Sequence, residues 1–235
     1  MSSKHIQLYL TAEQECSYLP GRMSSNIVPD PDLPMDLSIY SHFIKLGYRR
    51  SGDYIYRPHC NSCEECRPCR IPVENFSPRR NQLRCLKRNQ DLRLNMVKAG
   101  FTDEYFQLYS NYLNARHTEG GMANPQPDDF DHFLYSEWSN SYFLEVRKDE
   151  RLLAVAVTDV TPSGLSAVYT YFDPAESKRS LGTFCILQQI QQAKEMQLEH
   201  LYMGYWIKDC QKMKYKTDFQ PMEALIRDIW QPIKP

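Results

Sequence analysis

Short runs of hydrophobic residues, separated by tight turns, organise the second half of the chain. Runs rich in β-branched and aromatic residues predict antiparallel strands at residues 142–147, 152–160 and 165–172. A helix is predicted at residues 181–196, because Phe184, Leu187 and Ile190 recur at helical spacing along one face. The pattern ends with a strand at residues 201–207 and a closing helix at residues 222–230.

The first half of the chain has a less regular pattern. Three prolines predict a loop at residues 23–34, and Asp36 then caps a short helix that stops at Gly47. Residues 48–57 predict a hairpin that turns at residues 51–53. A helix is predicted to start at Ser77 and Pro78 and to run to residue 91. Further predictions are a strand at residues 92–97, a helix at residues 102–116, a loop at residues 118–127 and a short helix at residues 128–135.

This order of elements predicts an α+β fold. Three meandering strands, a helix and then a strand are similar to the order of the acetyltransferase (GNAT) core. Residues 76–235 are therefore expected to form a GNAT-like acyltransferase core. Residues 1–75 are rich in Pro and Cys and are expected to form a separate Cys-rich N-terminal region.

Composition and charge narrow the class of protein. A length of 235 residues fits one large domain or two small ones, and 28 Lys and Arg against 29 Asp and Glu give a net charge of −1. That balance excludes a polybasic, histone-like protein but allows a local basic patch. The longest apolar run, residues 152–157, is far shorter than the roughly 18 residues of a membrane span. Since the start of the chain lacks the apolar region of a signal peptide, we expect a cytoplasmic protein with no membrane partner.

A cluster of cysteines is the first candidate site. Of eight cysteines, four recur every third residue, at Cys60, Cys63, Cys66 and Cys69, and Cys16 lies far upstream. Thiolates at this spacing can point into one small volume, as in iron–sulfur loops, whereas zinc ribbons space two pairs more widely. In a reducing compartment the run predicts an iron–sulfur cluster or zinc. The alternative is a set of reduced thiols packed at the base of the hairpin.

Two basic stretches are candidate nucleic-acid surfaces. One face of the helix after Ser77 carries four cations, Arg80, Arg84, Lys87 and Arg88. Leu83 and Leu86 lie on its other face, and residues 208–216 hold four lysines against one Asp. Such stripes neutralise phosphates without reading sequence, although a solvated face is the commoner role of a charge run.

The start of the helix at residues 181–196 is a candidate anion site. Helix N-termini offer unpaired backbone N–H groups and a positive dipole end. The stretch from Arg179 through Ser180 and Gly182 is similar to the pyrophosphate loop of acetyltransferases. Phe184 stands where that loop has Gly or Ala, which argues against coenzyme A binding.

Arginines on the predicted hairpin are candidate readers of a carboxylate. Arg49 and Arg50 are adjacent on a strand, so they point to opposite faces, and at most one of them shares a site with Arg57. A guanidinium fork matches the geometry of a carboxylate. Structural ion pairs with the many nearby Asp residues are an equally good interpretation.

Longer motifs in both halves closely resemble the aminoacyl-tRNA–protein transferases of the N-degron pathway. They are CSYLP from residue 16, YRRSGDYIYRPHC from residue 48, YFDP from residue 171 with SLG from residue 180, YMGYWI from residue 202 and MKYK from residue 213. The whole chain is most similar to the bacterial branch, which transfers leucine. The resemblance implies a GNAT-like region that takes leucine from Leu-tRNA and transfers it to proteins with N-terminal Asp or Glu, marking them for degradation.

With this resemblance, the candidate residues take hypothetical roles. The acceptor amine attacks an activated ester, so no protein nucleophile and no cofactor is required for the chemistry. Ser180 and Gly182 are expected to hold the tRNA 3′ end or the oxyanion, and Asp173 or Tyr205 to relay the amine proton. The acidic side chain of the acceptor is assigned to Arg50, Ser51 and Arg57, and the tRNA phosphates to Arg80, Arg84, Lys87, Arg88 and Arg179.

The eukaryotic branch of the same family, which transfers arginine, bears on the cysteines. Its members are associated with an iron–sulfur cluster held by cysteines of these N-terminal motifs. In this chain Leu19 replaces the second cysteine near Cys16, and Cys69 is the candidate substitute. Three alternatives stay open: arginine transfer to the same acceptors, a coenzyme A-dependent N-acyltransferase, and a metal-stabilised RNA-binding adaptor without catalysis.

Overall fold

The computed structural model of the protein describes residues 6–116 and 124–233. Within these ranges the fold is mixed α/β, with one eight-stranded sheet, one four-stranded sheet and a two-stranded ribbon. The helices are α1 (Leu37–Lys45), α2 (Arg80–Arg88), α3 (Asp103–Arg116), α4 (Pro127–Leu134) and α5 (Leu181–Glu195). Short 3-10 helices lie at Val73–Asn75, Pro174–Arg179 and Gln211–Asp218. In the described part of the chain, no helix is long and apolar enough to cross a bilayer.

The N-terminal strands form the two smaller sheets. They are β1 (Leu8–Leu10), β2 (Gln14–Glu15), β3 (Met23–Ser24), β4 (Asn26–Pro29), β5 (Arg49–Ser51) and β6 (Tyr54–Pro58). The four-stranded sheet has the order β1-β4-β6-β5, and β2 pairs with β3. The β5–β6 hairpin is confirmed, and Asp36 caps α1 by accepting a hydrogen bond from the backbone N–H of Ile39 at 2.8 Å.

The eight-stranded sheet has the order β14-β13-β7-β12-β11-β10-β9-β8. Its strands are β7 (Arg67–Pro72), β8 (Arg93–Lys98), β9 (Ser141–Lys148), β10 (Arg151–Thr161), β11 (Gly164–Phe172), β12 (His200–Trp206), β13 (Met222–Ile226) and β14 (Ile229–Ile233). The antiparallel strands β9, β10 and β11, followed by α5 and β12, confirm the predicted order of elements. Since β7 lies between β12 and β13, the two predicted regions of the chain share one sheet.

Helices cover both faces of this sheet, and β10 supplies residues to each. Its Val155 and Val157 pack with α3 and α4 on one face, while Ala154 and Ala156 pack with α5 on the other. Successive side chains of a strand point to opposite faces, so a continuous hydrophobic run is what a strand buried on both sides requires.

The closing helix predicted at residues 222–230 is wrong. The segment forms the β13–β14 hairpin, whose turn residues Arg227 and Asp228 have φ of 51° and 59°. An apolar run as short as Met222–Ile226 fits a helix or a strand equally well. Pairing of β13 with β7, about 150 residues earlier, decides between them.

Two other predicted boundaries differ from the structure. The predicted loop at residues 23–34 contains β3 and β4, with Pro29 at the end of its strand. Helix α2 begins at Arg80 rather than at Ser77, and the Gln82 side chain accepts from the backbone N–H of Arg79 at 2.8 Å. Leu83 on this helix is 53% exposed, so other residues of α2 form the face that packs against the rest of the protein. Of the predicted loop at 118–127, residues 118–123 lie outside the described residues.

Candidate active site

The parallel strands β11 and β12 separate soon after they start. They pair only where Leu165 lies opposite Leu201 and Ser166 opposite Tyr202. The opposite edge of β12 pairs with β7, from His200 opposite Pro72 to Trp206 opposite Arg67. Within the described part of the chain, no backbone pairing joins residues 167–172 of β11 to residues 203–206 of β12, and we call the gap between these two segments the β11–β12 cleft. The carboxyl ends of parallel strands are where open α/β sheets bind their ligands.

Arg49 of the β5–β6 hairpin lies across the narrow end of this cleft. Its Nη2 donates to the carbonyl oxygen of Val168 on β11. Its guanidinium lies against Gly204 of β12, where an added Cβ would come within 3.0 Å of Nε. Gly204 has a φ of +71°, which favours glycine, and its lack of a side chain leaves room for the guanidinium. Arg49 Nε is buried and has no hydrogen-bond partner among the described residues.

Lys216 places a second cation beside Arg49. It is 3% exposed, and its Nζ donates to the carbonyl oxygens of Met203 and Tyr205, on either side of Gly204. Burial lowers the pKa of Lys216 to about 8, and the charge of Arg49 acts in the same direction. The prediction that residues 208–216 form a basic surface is therefore wrong for Lys216.

The surroundings of these two cations are aromatic rather than acidic. The groups that act electrostatically on Arg49 are tyrosines: Tyr18, Tyr56, Tyr205 and Tyr215. In the part of the chain that the structure describes, no Asp or Glu forms an ion pair with Arg49 or Lys216. The narrow end of the β11–β12 cleft is consequently electropositive and suited to an anion.

Aromatic rings continue from Arg49 towards the start of α5. The ring of Tyr169 on β11 lies 6.3 Å from that of Tyr112 on α3, and Tyr112 lies 4.9 Å from Phe172. The guanidinium of Arg116 lies 5.6 Å from the rings of both Tyr112 and Phe172. Gly182, in the first turn of α5, meets the Phe172 ring, from which an added Cβ would be 3.4 Å away.

The start of α5 is held in place by α2. Asn89 Nδ2 donates to the carbonyl oxygen of Arg179 at 2.9 Å, and Cys85 Sγ donates to that of Ser180 at 3.7 Å. Ser180 adopts a left-handed conformation, with φ 54° and ψ 48°. The first N–H groups of a helix have no intrahelical partners. The first turn of α5 therefore offers donors and a positive dipole end beside the β11–β12 cleft.

The basic face of α2 adjoins this helix start. Its four cations are exposed: Arg80, Arg84, Lys87 and Arg88. Arg88 Nη1 donates to the carbonyl oxygen of Lys178, two residues before Ser180. The other three form no ion pair with any described residue. A row of free cations thus leads to the first turn of α5.

Comparison with known proteins shows the family to which the chain belongs. The family model for the C terminus of arginine-tRNA-protein transferase matches residues 104–226, and the model for its N terminus matches residues 14–84. The chain belongs to the arginine-tRNA-protein transferase family. An aspartate/glutamate leucyltransferase of Pseudomonas fluorescens (strain SBW25) is 51% identical over 225 residues, or 96% of each chain. One of Pseudomonas syringae pv. syringae is 48% identical over the same shares.

Two solved structures are less similar to the chain. The C-terminal domain of a lysylphosphatidylglycerol synthetase from Agrobacterium fabrum has a TM-score of 0.47 and 18% identity, covering 62% of this chain and 47% of that one. L-PGS from Bacillus licheniformis has a TM-score of 0.47 and 13% identity, covering 73% and 50%. At these values neither likeness bears on the activity.

Arg50, expected to contact the acceptor in this family, is wholly buried. Its side chain and that of Asp159 are each 0% exposed, and two hydrogen bonds of 2.8 Å join the guanidinium to the carboxylate. Its remaining donors bond to the carbonyl oxygens of Leu134 at 2.9 Å and Gly52 at 3.2 Å. This burial contradicts the prediction that Arg50 contacts the acceptor.

The other two predicted acceptor residues do not meet at one site with Arg50. Arg57 Nη1 donates to the carbonyl oxygen of Leu46 at 2.9 Å and pairs with the exposed Asp228 at 3.2 Å. Ser51 lies opposite Tyr54 at the turn of the hairpin. The structure brings Arg57 to the β13–β14 turn and leaves Arg49 as the hairpin arginine at the cleft.

Arg179, expected to contact tRNA, is occupied by carboxylates. Its Nη1 and Nη2 donate to Asp91 at 2.8 and 2.9 Å, and its Nε donates to Glu176 at 3.0 Å. The bond from Arg179 lowers the pKa of Asp91 to about 2. Since its side chain is 15% exposed, Arg179 fixes the segment before Ser180 instead of presenting a free charge to tRNA.

The two candidate proton relays have different surroundings. Tyr205 is 2% exposed and donates its hydroxyl to the carbonyl oxygen of Tyr56 at 2.8 Å. Burial raises the pKa of Tyr205 well above its usual value, so the hydroxyl stays protonated. Asp173 follows β11, accepts from the backbone N–H of Ala175 at 2.9 Å and pairs with Arg151.

The structure divides the five cysteines predicted as metal ligands. Cys16, Cys60, Cys63 and Cys66 are partly exposed and near one another, and Arg22 Nη1 donates to Cys63 Sγ at 3.2 Å. Burial raises the pKa of Cys66 to about 12, and its cysteine neighbours act in the same direction. Cys69 is 1% exposed and belongs to a core cluster against which Cys66 packs. Among the described residues, no three Cys, His, Asp or Glu side chains are arranged to hold a metal ion, so the thiols as placed do not fit one.

Sequence reasoning missed Arg49 and Lys216 as site residues. The adjacent pair Arg49 and Arg50 showed that one arginine of the hairpin points away from the other. Which of them is neutralised by a carboxylate depends on Asp159, a residue 109 positions after Arg50. For Lys216 the signal in the sequence was its place in the MKYK motif. The charge pattern alone predicts that a lysine in this motif is exposed at the surface.

Proposed function

We propose that this chain transfers leucine from Leu-tRNA to the α-amino group of proteins with N-terminal Asp or Glu, marking them for degradation. The observation that carries the proposal is 51% identity, over 96% of both chains, with a protein named aspartate/glutamate leucyltransferase. The geometry supports it, because the α2 face with free cations contacts the segment before α5, and the first turn of α5 lies against Phe172 at the end of β11.

We also propose that the core is GNAT-like. The support is the order of β9, β10, β11, α5 and β12, together with the separation of β11 from β12 beside the start of α5. Phe184, which departs from the acetyltransferase loop, is 3% exposed and packs between α5 and the sheet. The division of labour follows the two predicted regions: residues 1–75 supply the hairpin with Arg49 for the acceptor, and residues 76–235 hold the donor.

The donor binds along α2 and α5. Phosphates of the tRNA lie on Arg80, Arg84 and Lys87, whose charges are free, and the 3′ end reaches the first turn of α5 at Gly182. The backbone N–H groups of this turn then face the ester carbonyl. As the carbonyl oxygen gains negative charge, these N–H groups and the helix dipole stabilise it.

The acceptor supplies the nucleophile. Its α-amino group has a pKa of about 7.7–8.0, so a substantial fraction is neutral at cellular pH. The amine nitrogen forms a bond to the ester carbonyl carbon, the bond from that carbon to the ribose oxygen breaks, and the amine proton ends on the released ribose hydroxyl. Of the two relay candidates, Asp173 is the partly exposed carboxylate that can pass this proton, whereas Tyr205 is occupied within the fold.

The chemistry needs no cofactor, because the ester is already activated and the protein has only to align two substrates and stabilise charge. No step passes through a metal at the cysteines. Charged tRNA as the donor makes a cytoplasmic location the consistent proposal.

The test is transfer by the purified protein with radiolabelled Leu-tRNA and Arg-tRNA in parallel. The acceptors are four peptides that differ only in a first residue of Asp, Glu, Lys or Ala. Leucine incorporated into the Asp and Glu peptides alone is the expected result. Arginine incorporation instead would keep the reaction and change the donor, as the name of the matching family model suggests for its own members.

Two results would overturn the proposal. Acylation of the peptides from acetyl-coenzyme A, with no transfer from either tRNA, would make the chain a coenzyme A-dependent acyltransferase. Binding of tRNA without any transfer would make it an RNA-binding adaptor.

A further inference from the structure

Arg49 is a half-buried cation for which the described residues supply no counter-charge. The two hairpin arginines differ sharply in this respect, because Arg50 holds Asp159 through two hydrogen bonds. Arg49 donates only to a neutral carbonyl, that of Val168, among the described residues. Its Nε, which lies inside the structure, has no partner there. A desolvated guanidinium in this state is costly, and an anion that completes its hydrogen bonds recovers much of the cost.

The shape of the site selects a flat, two-oxygen anion. Guanidinium Nε and Nη groups form a rigid fork that matches the two oxygens of a carboxylate. Gly204 lies against the guanidinium, where a Cβ would come 3.0 to 3.1 Å from Nε, Cζ and Nη1, so a glycine here is what admits Arg49 to the cleft. Lys216, held on the carbonyl oxygens beside Gly204, adds positive charge on the same side.

The position of Arg49 relates it to the reacting atoms. It lies at the narrow end of the β11–β12 cleft, and a row of packed rings, Tyr169, Tyr112 and Phe172, leads from it to Gly182 at the start of α5. For an acceptor whose carboxylate is bound at Arg49, this row of rings is the direction in which the α-amino group has to extend to reach the donor.

We propose that Arg49 binds the side-chain carboxylate of the acceptor's N-terminal Asp or Glu and thereby sets acceptor specificity. This inference rests on the proposed function and deepens it, because it assigns the selection of acidic acceptors to one residue. Lys216 supports the site through its field and through its hold on the backbone around Gly204.

The test compares kcat/KM for two peptides that differ only in a first residue of Asp or Asn. In Arg49→Gln we expect the value for the Asp peptide to fall about 100-fold, mainly through KM, since a desolvated charge pair loses one partner. The value for the Asn peptide stays within about 3-fold of the wild type. Arg49→Lys keeps the charge without the planar fork, and we expect its kcat/KM for the Asp peptide to fall about 10-fold. The matched control is Arg93→Gln. It removes an exposed arginine of the edge strand β8 that pairs with Glu150.

Equal losses for the Asp and Asn peptides would overturn the proposal, because they indicate damage to the fold or to donor binding. An unchanged ratio of the two values would overturn it as well. Fluorescence anisotropy of the same labelled peptides without any donor separates this proposal from the proposed function. Wild-type preference for the Asp peptide, lost in Arg49→Gln, supports Arg49 even where no leucine is transferred. A wild type that binds both peptides equally refutes it.

Discussion

Removal of Arg50 is expected to damage the fold rather than the choice of acceptor. The Arg50 guanidinium makes five hydrogen bonds inside the protein, two of them to Asp159 at 2.8 Å. Asp159 also accepts from the Tyr40 hydroxyl at 2.8 Å and from the Ser141 hydroxyl at 2.6 Å. Arg50→Met would leave the Asp159 charge buried with these two neutral donors alone.

The magnitude follows from the burial of both partners. Loss of one partner of a buried ion pair costs about 3–5 kcal/mol. A domain of this size loses about 2–4 °C of Tm for each kcal/mol, so Tm should fall by roughly 6–20 °C. Arg57→Met is the matched control, because its ion pair with Asp228 is solvent-exposed and is worth about 0–1 kcal/mol.

Urea unfolding followed by circular dichroism measures both variants. The double variant Arg50→Met with Asp159→Leu removes both charges, and we expect it to be more stable than Arg50→Met alone. The reasoning is refuted by an Arg50→Met protein that unfolds within about 1 kcal/mol of the wild type and loses only its binding of Asp peptides.

Three further predictions concern the donor surface, the buried lysine and the cysteines. Replacing Arg80, Arg84 and Lys87 together by Gln should weaken tRNA binding, measured by filter binding, and reduce the slope of log affinity against log salt concentration by about 2–3. An unchanged slope would show that α2 is not part of the donor site. Because folding lowers the pKa of Lys216 to about 8, the unfolded chain binds more protons between pH 8 and its usual pKa. Stability of the wild type should therefore rise relative to Lys216→Met from pH 8 to pH 10 in urea titrations, and parallel curves would contradict the burial argument. In native thiol labelling read by mass spectrometry, Cys16, Cys60 and Cys63 should react before the buried cysteines and Cys66. Protection of all four partly exposed thiols, together with bound iron or zinc, would instead establish the metal site that the sequence predicts.

Sequence reasoning succeeded where local pattern and long-range packing agree. The hydrophobic run of β10 is long enough to require burial on both faces, and α5 carries its apolar residues at helical spacing, so both elements follow from pattern alone. The segment Met222–Ile226 is too short for its period to be read, and its conformation is decided by pairing with β7.

The residues of the candidate site were harder to predict from the sequence, because their roles are also decided by long-range packing. Strand alternation shows that Arg49 and Arg50 face opposite ways, but only the tertiary position of Asp159 tells which guanidinium is neutralised. Likewise, the charge of Lys216 suggests surface exposure, while the irregular backbone of β12 at Gly204 supplies the carbonyl oxygens that keep it buried. These contacts join residues from 11 positions apart (Lys216 and Tyr205) to 109 positions apart (Arg50 and Asp159), and a local pattern of charges carries no signal for them.

The most direct test of the account is a crystal structure of the protein with two ligands that cannot react. One is an amide-linked analogue of the leucylated 3′-terminal adenosine, and the other is a peptide that begins with Asp and has a blocked amine. We expect the leucyl carbonyl at the first turn of α5 beside Gly182, and the Asp side chain on Arg49 within the β11–β12 cleft. Density for either ligand outside this cleft, or an Asp carboxylate bound by another arginine, would contradict it.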